Sequence, residues 1–203
     1  MEKVAAKLGY WVAFLILWET LGLTADLKTK GMFIEIVPLG KIDSVILADL
    51  ERNLKSIFEA TVSLGKEEAL PKKAYDALRR QYLSPSILIH LAESERPEGW
   101  KILGVMDEDA YTPGLNFVFG QADSAAGVAL ISLKRLRQEF YGLRPNKKLF
   151  LERTLKEAVH ELGHLFGLGH CPDAGCVMHF SNSLADTDRK STAFCQKCRK
   201  RLR

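Results

Sequence analysis

A chain of 203 residues, 47% hydrophobic and 27% charged, has the mix of a folded globular protein and excludes a disordered one. It is long enough to bury a core without disulfide staples. A net charge of +4 is too modest to imply nucleic acid by itself.

The stretch LGYWVAFLILW, residues 8–18, carries no charge and follows Lys3 and Lys7. It falls short of the ~20 apolar residues of a membrane span. Three readings of residues 1–31 stand side by side: a start assigned too early, with Met32 the first residue; a signal or anchor with the weak cleavage sequence LTA; or a helix packed on the domain. From Met32, residues 32–203 predict one domain. Phe33, Ile34, Ile36 and Val37 predict a strand ended by Pro38 and Gly40. Asp43 is a helix N-cap, after which Ile46, Leu47, Leu50, Leu54, Ile57 and Phe58 recur at helical spacing. Residues 60–64 predict a second strand, and 71–90 a loop and a helix. Residues 101–106, 115–120 and 127–133 predict further strands, with a polar turn containing Pro113 over 107–114. A last long helix starts near Asn146 and runs through Glu161 to about Phe166. Beyond Gly167 the chain reads as irregular. It ends in a basic tail of Arg189, Lys190, Lys197, Arg199, Lys200, Arg201 and Arg203, read as a solvated terminus in preference to a nucleic-acid contact. The order predicts an α/β (α+β) body, a mixed twisted sheet with helices, capped by a small metal-held region over 171–203.

The segment HELGHLFGLGHCPDAGCVMHF, residues 160–180, concentrates the chemistry. His160 and His164 stand one helical turn apart, so both imidazoles share a face and can grip one zinc ion. Glu161 is placed to reach a water on that ion. Gly167 can take the left-handed conformation that ends a helix and turns the chain back, bringing His170 in as third ligand. Three protein ligands and an open position are what a catalytic zinc requires. This H-E-x-x-H-x-x-G-x-x-H pattern is the signature of the metzincin zinc peptidases, whose methionine turn Met178 would supply. All four cysteines lie between 171 and 198. Cys171, Cys176, Cys195 and Cys198, in two short clusters, suit a tetrahedral structural zinc. A redox role for the Cys195/Cys198 pair would need a βαβ setting, and disulfides would need an oxidising compartment. His179 could compete as a ligand, and His90 reads as structural.

With its extended motif running into four cysteines, the chain resembles the archaemetzincin family over residues 32–198. YTPGLNFVFGQA, residues 111–122, is similar to that family's strand segment. The interval from Met178 to Cys195 is one residue shorter than the family spacing, which bears on a loop and not on the ligands. The resemblance implies a zinc peptidase acting on peptide or protein substrates, with aminopeptidase action as one form.

The expected cofactors are two Zn²⁺ per chain, one catalytic and one structural. Glu161 is the expected general base, with Met178 packed beneath the imidazoles. Residues 115–122 are the candidate edge strand for substrate backbone, with Asn116, Val118 and Gly120 alternating with Phe117 and Phe119. A cytoplasmic monomer is expected, exported or membrane-anchored only if residues 8–18 are a signal or anchor. The competing reading is a zinc-stabilised binding protein with a silent histidine site and a basic docking tail. Glu161 argues against it, because a purely structural site has no use for that carboxylate.

Overall fold

The computed structural model describes residues 31–95 and 97–202, so the readings of residues 1–30 fall outside it. In chain order the elements are β1 (Phe33–Leu39), α1 (Ser44–Phe58), β2 (Thr61–Leu64), β3 (Tyr75–Asp76), β4 (Gln81–Leu83), α2 (Ser84–Glu93), β5 (Trp100–Met106), β6 (Ala110–Tyr111), β7 (Gly120–Asp123), β8 (Val128–Ser132), α3 (Lys147–Leu165), α4 (Leu184–Arg189) and α5 (Gln196–Arg199). The main sheet runs β2-β1-β5-β8-β7. Its first four strands are parallel, and β7 lies antiparallel to β8 at the edge. Among the described residues no helix is long and apolar enough to cross a membrane.

Parallel strands buried on both faces read as continuous apolar runs, and successive residues serve opposite cores. Ile34, Ile36, Leu103, Val105, Ala129 and Ile131 pack with α1 and α3. Val37, Leu39, Ile102, Met106, Val128 and Leu130 pack with α2 on the other face. In α1, Ile46, Leu50, Leu54 and Phe58 form the buried stripe, and the Asp43 carboxylate accepts from the Val45 N–H at 2.9 Å. Asn146 caps α3 in the same way, through Leu149 N–H at 3.0 Å. Edge-to-face and tilted contacts of Phe58 with Phe194 and Phe166 join the cysteine-rich C-terminal region to this core.

The structure departs from the sequence reading in four places. β1 continues through Pro38. Pro38 lies past the last β2 pairing, Ile36 with Leu64, and its carbonyl accepts from the Glu68 N–H at 2.9 Å. Its missing N–H therefore robs no neighbouring strand of a donor. β3 and β4 within 71–90 join β6, from the expected turn of 107–114, in a small sheet of order β3-β4-β6, whose strands are too short to show a period. Beyond Gly167 two short helices appear, α4 opening with a Ser183/Asp186 capping box.

The fourth departure concerns residues 115–120. Only Gly120 belongs to a strand; Leu115, Asn116, Phe117, Val118 and Phe119 form a turn leading into β7, with Val118 in an isolated bridge to Ala110. The Asn116 carbonyl accepts from the side chains of Arg79 and Gln81, each at 3.0 Å, which occupies backbone that a strand would have used. Phe119 is buried in the core, and the Arg135 guanidinium lies over the Phe117 ring. The apolar alternation there is anchoring, not pleating.

Candidate active site and metal centres

α3 carries His160 and His164 on its buried face, and each ring is oriented by a carbonyl. His160 Nδ1 is 2.8 Å from the Val177 oxygen, and His164 Nδ1 is 2.8 Å from the Leu168 oxygen. A carbonyl can only accept, so each Nδ1 bears the proton and each Nε2 of the neutral ring carries a lone pair. Those two Nε2 atoms stand 3.1 Å apart. Two lone pairs at that distance repel unless a cation lies between them. Burial, followed by the Lys190 charge, pushes His160 down to about 2, and burial also lowers His164 and His170. A proton is therefore a poor candidate for that cation and a metal a good one. Gly167, at φ +86°, turns the chain so that His170 joins the pair. The three ligand atoms lie within 4.8 Å of one another.

Met178 is fully buried against α3, where a β-carbon on Gly163 would come 2.4 Å from its sulfur. A glycine is required there for the methionine turn to approach. The same turn supplies the Val177 carbonyl that orients His160. His179 turns away, its Nδ1 2.9 Å from the Cys171 carbonyl oxygen. His90 lies outside the site, against Glu68 at 3.1 Å.

A cleft of about 550 Å³ opens over the histidines. Its lining includes all five candidate residues from Asn116 to Gly120, although four of them precede the edge strand. Glu161 faces the same cleft and is buried, its carboxyl pushed well above the usual range by burial and by the like charge of Glu157, against the opposing pull of Lys190. A β-carbon on Gly120 would fall 2.6 Å from the Glu161 Oε1, so β7 passes directly over this carboxylate.

Lys190 and Glu157 join the site without having been expected there. Lys190 reads in the sequence as part of the basic tail; its side chain is instead wholly buried, with Nζ 3.0 Å from Glu157 Oε1, and both line the cleft. Thr187 donates to the same Glu157 oxygen at 3.2 Å. The readable signal is Glu157 itself, one turn before Glu161 on the inward face of α3. Arg199 of the tail is also engaged, donating to the Ile57 carbonyl and lying over Phe194. Lys197, Lys200 and Arg201 are exposed.

The four cysteine sulfurs lie within 4.8 Å of one another and form no disulfide. Cys171 and Cys195 are 3.8 Å apart, matching the ~3.8 Å edge of a tetrahedron of ~2.3 Å Zn–S bonds. The Cys198 N–H is the largest influence drawing the Cys195 thiol down to about 7, whereas burial raises Cys176 and Cys198. The Cys171 N–H donates to the Met178 carbonyl at 2.9 Å, tying this cluster to the turn beneath the histidines.

The chain is similar to known proteins. The sequence model of peptidase family M54 matches residues 72–203. An archaemetzincin of Pyrococcus furiosus is 46% identical over 173 residues, covering 82% of this chain and 90% of the relative. One from Methanocaldococcus jannaschii is 45% identical over 171 residues, covering 84% and 93%. The crystal structure of archaemetzincin from Methanopyrus kandleri superposes with a TM-score of 0.76 at 41% identity, covering 86% of this chain and 95% of that one. Archaemetzincin from Archaeoglobus fulgidus, complexed with malonate, gives 0.73 at 40%, covering 84% and 100%.

Proposed function

The chain belongs to peptidase family M54 and is a zinc metallopeptidase; from that premise we propose that His160, His164 and His170 hold the catalytic zinc, that Glu161 is the general base, and that Cys171, Cys176, Cys195 and Cys198 hold a second, structural zinc. The observation that carries the histidine assignment is the pair of Nε2 lone pairs 3.1 Å apart, each fixed by a carbonyl behind it. Bound there, zinc supplies a Lewis acid for the scissile carbonyl and lets water act as nucleophile near neutral pH.

The remaining work falls to side chains and backbone. Glu161 takes a proton from the attacking water at a carboxylate oxygen and passes it to the leaving nitrogen. Its raised affinity for protons suits a base that must also return the proton. Gly120 leaves room for that carboxylate under β7. The substrate backbone extends the sheet along β7. Phe119 O accepts from Ser132 N–H at 2.8 Å, so by alternation Gly120 and Ala122 turn their backbone groups outward, free to pair. Aminopeptidase action would need a free anion to hold the substrate's terminal amine. Among the described residues, Glu157 and Glu161 are the acids lining the cleft; the first is paired with Lys190 and the second serves as base. We therefore favour cleavage within extended chains.

Glu161→Ala tests the reading. Hydrolysis of a mixed peptide library should fall by roughly 10²–10⁴-fold with bound zinc unchanged. Full activity in that variant would remove Glu161 from the mechanism.

A further inference from the structure

A second groove, of about 540 Å³, runs along the far side of β7. Its floor is the outer stripe of α2, where Pro85, Ile89 and Ala92 follow one another at helical spacing beside Leu88. Ile89 is 60% exposed, a large aliphatic side chain on a helix face that no other described residue covers. The groove shares Gln121, Ala122 and Ser124 with the catalytic cleft, so the two are continuous across the edge strand.

The alternation of the sheet says what would lie there. Gln121 and Asp123 pair with Leu130 and Val128, which face α2, whereas Gly120 and Ala122 pair with Ile131 and Ala129, which face α3. A peptide added outside β7 inherits the same two-sidedness. Every second side chain of it points towards the histidines, and those between point onto the α2 stripe. The charged residues lining this groove are Glu93 and Asp123, both acidic.

We propose that Ile89, with Pro85, Leu88 and Ala92, forms a subsite that selects an apolar side chain in the peptide substrate and rejects Asp or Glu. The occupant is the substrate chain itself, because the groove continues the cleft in which that chain is cut. The proposal rests on the reading that substrate pairs with β7.

Two variants separate the subsite from that reading. Ala122→Pro removes an outward N–H from an edge position where proline is tolerated. Ile89→Asp changes the subsite at an exposed position outside both cores. Zinc-loaded full-length protein is given a library of short synthetic peptides, and cleavage sites are read by mass spectrometry. Wild type should enrich Leu, Ile, Val, Met and Phe, and deplete Asp and Glu, at one fixed position relative to the cut. Ile89→Asp should lower kcat/KM for those peptides about tenfold or more and leave the adjacent positions unchanged, at an unaltered melting temperature. Ala122→Pro should raise KM across all sequences alike. An Ile89→Asp profile identical to wild type, beside a weakened Ala122→Pro, overturns the subsite alone. An Ala122→Pro variant with wild-type KM overturns the strand pairing, and the subsite with it.

Discussion

The histidine and cysteine clusters meet at the bond between His170 and Cys171, and they are built to opposite ends. The cysteine cluster offers four candidate ligands, three of them buried, with their sulfurs within 4.8 Å of one another. The histidine cluster offers three, with the third, His170, exposed at the mouth of a cleft. A fourth protein ligand completes a tetrahedron and excludes reactants; three leave a position for them. The difference teaches where rigidity comes from. The closed site, through Cys171 N–H on Met178 O, holds the turn whose Val177 carbonyl orients His160. On the proposed reading the histidine site stays open for chemistry while the cysteine site holds the chain beside it.

Breaking the closed site should therefore cost the most. Structural zinc contributes an apparent ~10–16 kcal/mol in small zinc-folded units. Cys176→Ala should release the structural ion, collapse the thermal melt and weaken retention at the histidines as well. Zinc analysis with circular dichroism checks this; a variant that keeps catalytic zinc and melts normally would show the sites to be independent. Next comes the buried ion pair behind the open site. Lys190→Met leaves Glu157 charged and uncompensated, and should cost about 3–5 kcal/mol in urea unfolding. Adding Glu157→Leu should recover much of that loss, whereas an equal loss in the double variant would mean that Lys190 acts by shape alone. The smallest effect sharpens the link between the two. Gly163→Ala sets a methyl group against the Met178 sulfur and should cost about 1–3 kcal/mol, with faster zinc loss to chelator from the histidine site than from the cysteine site. Equal rates from both would contradict the placement of Met178 beneath the histidines.

The same contrast runs through what the sequence makes legible. Candidate ligands at short fixed spacings are local features, as with His160, His164 and His170, whereas the fold brings Cys171 and Cys176 to Cys195 and Cys198. Asp43 and Asn146 are equally local, because a cap is decided within one turn. Leu115 to Phe119 mislead because alternation of apolar residues is also what a turn shows when one phenylalanine enters the core and a neighbour supports an arginine. The carbonyl partners that decide against a strand, Arg79 and Gln81, come from more than thirty residues away. Lys190 misleads for a related reason. It sits among the basic residues of the tail, but in the fold it closes α4 and is buried beside Glu157 of α3.

Two zinc ions in unlike sites would be seen by X-ray absorption at the zinc edge on protein with its metal content measured. Two zinc per chain are expected, with ~2.3 Å sulfur and ~2.0–2.1 Å nitrogen ligands in a ratio close to four to three. One zinc per chain, or a shell of sulfur alone, would contradict it.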